Sequence, residues 1–201
     1  MKLNYELLKE VYIKKGYEFF DRGTYNLNLF GIRSNDLKVN EFNDFMGIAY
    51  KDELGNDQVF VFKASTKPGL YYLKHKKLNE NGTAILIPNQ YKSAWRLGYH
   101  KGYEALQQNT TNFKVWRDAD SDGEFDYSGD IYSDVAGLNA HTTSFKSTIE
   151  RVGKYSAGCQ VIQDDKEFLI FLSIIKKSLD FYGNSFTYTL FTEDDFINNK
   201  N

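Results

Sequence analysis

This chain has little of the chemistry that makes a function easy to read. Among its 201 residues there is one cysteine, so no internal disulfide can staple the fold. Only three histidines accompany it, too few and too scattered for a zinc site of the usual cysteine and histidine kind. Proline occurs twice, which leaves no proline-rich linker or low-complexity tract to divide the chain. There is no cationic excess either: 25 Lys and Arg stand against 27 Asp and Glu, for a net charge of −2. That balance excludes the basic footprint of a nucleic-acid-binding domain. Long apolar runs are missing as well. The longest, FLIFLSII (Phe168–Ile175), is interrupted by a serine and is far too short to span a bilayer, so no membrane insertion is expected. The opening MKLNYELLKEVYIKKG holds no apolar stretch of signal-peptide length. The protein is expected to be made in the cytoplasm without an export signal of its own.

Aromatic residues are plentiful, with 15 Tyr and 16 Phe. They favour pleated surfaces with one apolar face. Leu3, Leu7, Leu8, Val11 and Tyr12 recur at helical spacing and predict an amphipathic helix over residues 3–20. The period then falls to two. GIAYKDELGNDQVFVFKAS reads as a hairpin turning at Gly55–Asn56. GLYYLK, TAILIP, SAWRLGYHKG and NFKVW are further strand candidates, separated by turn signals. Helical spacing returns over residues 164–182, with Asp164 as N-cap and Glu167 completing a capping box. FTYTLF reads as a closing strand, and the TEDDF end as a solvated tail. The expected fold is mainly β, of the α+β class, with a helix near each end. Residues 1–45 are expected to form a lead-in and residues 46–201 the main domain, together as one compact unit.

The single cysteine sits in GKYSAGCQVI, eighteen residues after His141. A thiol attacks an acyl carbon as its thiolate, so it needs a base, usually histidine. Gly158, just before Cys159, allows a tight backbone and close approach of substrate. Set against this is the ordinary role of a lone cysteine as a small buried packing residue.

His141, fourteen residues, then Ser156-Ala-Gly158-Cys159 resembles the signature of the L,D-transpeptidase catalytic domain of the YkuD type. Upstream, ASTKPGLYYL and ILIPNQYKSAWRLG are similar to two further segments of that family, and the likeness spans roughly residues 58–163. The order HKG, His, SAGCQV is also similar to a group of phage and prophage proteins. The family's histidine between Ser and Gly is Ala157 here, and the position two after the cysteine, commonly Arg or Asn, is Val161. The resemblance implies a β-sandwich or barrel and acyl transfer on peptidoglycan stem peptides. Cys159 would be the nucleophile, His141 the base, and Ser156 and Gly158 the shapers of the site. The thioacyl-enzyme would be resolved by water or by an amine, and catalysis would need no cofactor. His100, Tyr99 and Gln160 are candidate substrate contacts. The protein would act at the bacterial cell wall if carried there by a phage or a secretion route. The alternatives are an inactive domain of the same fold, serving as a virion component or wall-binding module, and an effector toxin acting on walls.

A second stretch, RDADSDGEFDYSGD, places Asp118, Asp120 and Asp122 in alternation before Gly123, with Asp126 beyond. That is the first half of an EF-hand-type loop and predicts a structural Ca²⁺ site. The twelfth position, a bidentate Glu in such loops, is Gly129.

Overall fold

The computed structural model describes residues 3–133, 135, 137–145 and 149–197. Among the described residues ten strands and four helices follow one another. The first elements are α1 (Tyr5–Lys14), β1 (Asn28–Arg33), β2 (Asp44–Lys51), β3 (Asp57–Ser65) and α2 (Leu70–Lys74). The middle of the chain gives β4 (Thr83–Leu86), β5 (Asn89–His100), β6 (Tyr103–Gln108) and β7 (Val115–Asp118). The last are β8 (Ala140–Thr142), β9 (Gln160–Ile162), α3 (Asp165–Tyr182), β10 (Phe186–Thr192) and α4 (Asp194–Ile197). Eight strands close into a barrel in the order β1-β10-β5-β6-β8-β9-β3-β2, and β4 pairs with β7 as a separate ribbon. The pairs β1–β10 and β8–β9 are parallel, and the other neighbours in the barrel are antiparallel. The mainly β class expected from the aromatic, alternating sequence is the observed one. β1 lies within the 1–45 lead-in, so that segment supplies a stave of the barrel.

Alternation along the strands sorts the apolar residues into two layers. Leu29, Ile48 and Leu190 turn to the large core, where Phe168, Phe171, Leu172 and Ile175 of α3 meet Trp95 and Tyr188. Their chain neighbours Phe30, Ala49 and Phe191 turn the other way, against Leu8, Val11 and Tyr12 of α1. These strands are therefore apolar on both faces, as staves covered on both sides must be.

The α3 helix begins as its sequence predicts: Asp164 accepts from the amides of Lys166 and Glu167 at 2.9 and 3.0 Å. Three expectations are corrected. The first helix ends at Lys14, not at residue 20, because Gly16 takes a left-handed φ of +70° that closes it. GLYYLK forms the short helix α2, not a strand; Gly69 caps it, and Leu73 is its one buried residue. The TEDDF end is not a solvated tail. Phe196 is buried against Phe191 with ring centroids 5.5 Å apart, and Asp195 pairs with Lys15 at 2.8 Å. Among the described residues no helix is long and apolar enough to cross a membrane.

Candidate functional site

β8 and β9 run parallel with His141 opposite Val161 and Ala140 opposite Gln160. Side chains two apart share a face, so Cys159, Val161 and His141 share one face of this pair, and Ala140, Gln160 and Ile162 share the other. Cys159, the residue just before β9, is thus a diagonal neighbour of His141 on β8. Both line a cavity of about 410 Å³, together with His100, Lys101, Arg117, Tyr72, Tyr155, Ala157 and others.

The turn leading into β9 is held by Ser156, whose hydroxyl donates to the Cys159 carbonyl at 2.8 Å and accepts from the Gly158 amide at 3.1 Å. Gly158 has φ +127°, and a Cβ there would lie 2.8 Å from the Ala84 carbonyl oxygen. The glycine is required both by its backbone and by the wall it faces. Cys159 is 9% exposed, and its thiol donates to the Gly137 carbonyl at 3.3 Å. Burial pushes the thiol pKa up, with Lys101 pulling the other way.

His141 is buried. Its Nδ1 lies 2.7 Å from the Thr142 carbonyl, which can only accept, so Nδ1 carries the proton. Nε2 is left as the lone pair, and it is buried with no hydrogen-bond partner among the described residues. The Tyr103 hydroxyl donates to the same carbonyl at 3.1 Å. Burial pushes the His141 pKa down to about 4, with His100 and Lys101 adding repulsion. At neutral pH the site therefore holds a neutral thiol and a neutral imidazole, not a thiolate–imidazolium pair.

The expected substrate contacts separate. His100 lines the cavity, stacked on His141, and burial lowers its pKa. Tyr99 is 66% exposed and does not line the cavity. Gln160 faces the barrel interior, where it accepts from the Tyr188 hydroxyl at 3.0 Å and donates to the Gly158 carbonyl at 3.2 Å. Lys101 and Arg117, not singled out from the sequence, give the cavity its cationic side chains. Lys101 sits with Gly102 at the β5–β6 turn, both at positive φ. Arg117 donates to the Gly82 carbonyl at 2.9 Å and lies over the Tyr132 ring.

Of the four aspartates, Asp118, Asp120 and Asp126 bring carboxylate oxygens within 4.8 Å of one another. Asp122 is not in this group; its carboxylate accepts from the Glu124 amide at 2.8 Å. Burial first, then the neighbouring Asp120, raises the Asp118 pKa to about 6.

A buried charged knot that the sequence does not announce lies elsewhere. Asp44 and Lys67 pair at 3.1 Å with both side chains fully enclosed. Arg33, also buried, donates to the Thr66 hydroxyl and to the carbonyls of Thr66 and Leu86 at 2.8 to 3.0 Å. Thr66 in turn donates its amide and hydroxyl to Asp44, both at 2.8 Å. The knot ties β1, β2, the end of β3 and β4 together.

No protein-family model matches this chain, and no curated protein or solved structure matches it either.

Proposed function

We propose that the protein is a cysteine-dependent acyl-transfer enzyme acting on peptidoglycan stem peptides, in the manner of the L,D-transpeptidases that its His141-to-Cys159 motif resembles. The observation that carries this reading is that Cys159, at the start of β9, and His141 of the parallel neighbour β8, whose Nε2 has no partner among the described residues, line one cavity. A buried imidazole acceptor left without a donor is unfavourable unless another group uses it. In this reading a substrate carbonyl approaches Cys159 and displaces the thiol from Gly137. The thiol proton passes to His141 Nε2 as sulfur attacks the carbonyl carbon. The carbon–nitrogen bond then breaks, and the imidazolium returns its proton to the departing amine. Water or a second amine attacks the thioester and gives its proton to Nε2, and as the carbon–sulfur bond breaks the imidazolium passes that proton to the departing sulfur, restoring the thiol. Lys101 and Arg117 suit the carboxylates of an acidic stem peptide.

The test is mass spectrometry of the protein after incubation with tetrapeptide stems. A thioacyl adduct on Cys159, absent in Cys159→Ala, supports the reading. A Cys159 that forms no adduct and releases no product, and that alkylates only after unfolding, overturns it. One observation favours a second reading, a wall-binding domain without chemistry: the thiol is buried, pushed up in pKa, and donates to Gly137 rather than to His141. Equal stem-peptide binding by wild type and Cys159→Ala, with no turnover in either, would select it.

A further inference from the structure

We propose that Asp118, Asp120 and Asp126 form a binding site for a hard divalent cation of the calcium type, which braces the wall of the Cys159 cavity. The three carboxylates each direct an oxygen into a space no wider than 4.8 Å. Two of them, Asp120 and Asp126, are exposed, and acidic loops of that kind are common. Asp118 is different. It is 2% exposed, and its Oδ2 is buried with no hydrogen-bond partner among the described residues. A buried carboxylate oxygen without a donor carries its full desolvation penalty. Two further carboxylates beside it add repulsion.

Among the described residues no ion pair relieves these three groups. The nearby Lys77 ammonium donates instead to the Ala119 carbonyl. A divalent cation neutralises the convergent charge of the three carboxylates and gives the buried Asp118 carboxylate a partner. Oxygen-only ligands at this spacing select a hard ion such as Ca²⁺ over zinc. Water would complete the coordination.

The position gives the site a consequence. Asp118 is the last residue of β7, paired with Thr83 of β4. Thr83, Gly82 and Arg117 line the cavity. The Asp118 carbonyl packs so closely on Gly82 that a Cβ there would lie 1.8 Å from it. Fixing the aspartate loop therefore fixes the β4–β7 ribbon and the cavity wall it carries. The inference does not depend on the acyl-transfer reading, because its readouts are binding and stability.

The experiment uses the full chain, stripped with EDTA and dialysed, at constant ionic strength. Calcium chloride is titrated calorimetrically, and thermal unfolding is followed with and without 10 mM calcium. We expect a dissociation constant on the order of 0.1–1 mM, as for open extracellular modules. The melting temperature should rise by about 4–8 °C. Asp118→Asn, Asp120→Asn and Asp126→Asn should each weaken binding at least about tenfold, and Asp130→Asn, outside the triad, should not. Because Asp120 and Asp126 are exposed, their variants keep the test open should Asp118→Asn fail to fold. Absence of binding heat, with melting temperatures equal in EDTA and calcium, overturns the proposal. So does a calcium response that survives in Asp120→Asn and Asp126→Asn.

Discussion

His100 and His141 lie ring on ring, with centroids 4.6 Å apart and planes 19° from parallel. Asn139 donates its side-chain amide to His100 Nδ1 at 3.1 Å, and Thr142 takes the proton side of His141. Both rings are thus fixed in a neutral tautomer, with Lys101, the Tyr103 hydroxyl and the Cys159 thiol among their titratable neighbours. A proton added to either ring meets burial and the second imidazole. By NMR, His141 should titrate near pH 4 and His100 below its ordinary value. The sign for stability follows. Unfolded, His141 takes a proton near pH 6.5, while folded it resists protonation down to about 4. Its contribution is full above 6.5 and is lost as pH falls through that window. Relative to His141→Gln, wild type should lose up to about 3 kcal/mol between pH 7 and 4. Parallel denaturation curves at both pH values would contradict this.

The same neutrality shapes the reactivity of Cys159. Its thiol is enclosed and pushed up in pKa, so iodoacetamide should alkylate it more slowly at pH 7 than a free cysteine, and faster toward pH 10. His141→Ala should change this resting rate little, because no imidazolium stabilises a thiolate there. In turnover the two variants should diverge from wild type: Cys159→Ala abolishes it, and His141→Ala lowers kcat by about 10²–10⁴. A His141→Ala protein that turns over stem peptides at the wild-type rate would remove His141 from the chemistry.

Asp44 holds the anionic centre of the buried knot. Replacing it by Asn leaves Lys67 and Arg33 enclosed without their counter-charge. Breaking such a pair from one side should destabilise the fold by about 3–5 kcal/mol. Replacing Lys67 by Met leaves Asp44 with Arg33, the Thr66 donors and the Ser34 amide. It should be the milder change, as urea denaturation would show. The reverse order would mean that the lysine, and not the carboxylate, organises the knot.

What the sequence disclosed follows the range of the interactions that decide each element. Local signals sufficed for α3, where Asp164 and Glu167 mark the start, and for the β2–β3 hairpin, where Asp52 accepts from the Leu54 and Asn56 amides around Gly55. GLYYLK was ambiguous because six residues of mixed aromatic and aliphatic character fit either period, and α2 buries only Leu73. The acidic residues of the tail dominate its composition and hide the fact that Phe196 packs on Phe191. Ser156, Gly158, Cys159 and His141 were legible as a motif. Lys101 and Arg117 were not, because ribbon β4–β7 and hairpin β5–β6 meet the motif only in three dimensions. Gln160 shows the value of register. One step along β9 from Cys159, it faces the opposite side of the sheet.

Gly158 offers the sharpest test of how the turn presents Cys159. Two separate costs meet there: a φ of +127°, and a wall formed by the Ala84 carbonyl at 2.8 Å and a Leu138 methyl at 2.9 Å from any added Cβ. Gly55 isolates the first cost. It has φ +80° with nothing within 4 Å, and it lies in the β2–β3 turn, away from the cavity. Gly55→Ala should therefore lose only about 1 kcal/mol of stability, with Cys159 alkylation unchanged. Gly158→Ala adds a collision with backbone that cannot swing aside. It should lose about 2–4 kcal/mol and move the thiol away from the Gly137 carbonyl. Displacement of that size should also lower turnover by about 10²-fold, because reacting groups tolerate little misplacement. Chemical denaturation and alkylation rates of the two variants decide the matter. Equal effects from the two alanines would mean that backbone strain alone matters at Gly158. A Gly158→Ala protein with native stability and an unchanged thiol would mean that the turn does not fix Cys159 at all.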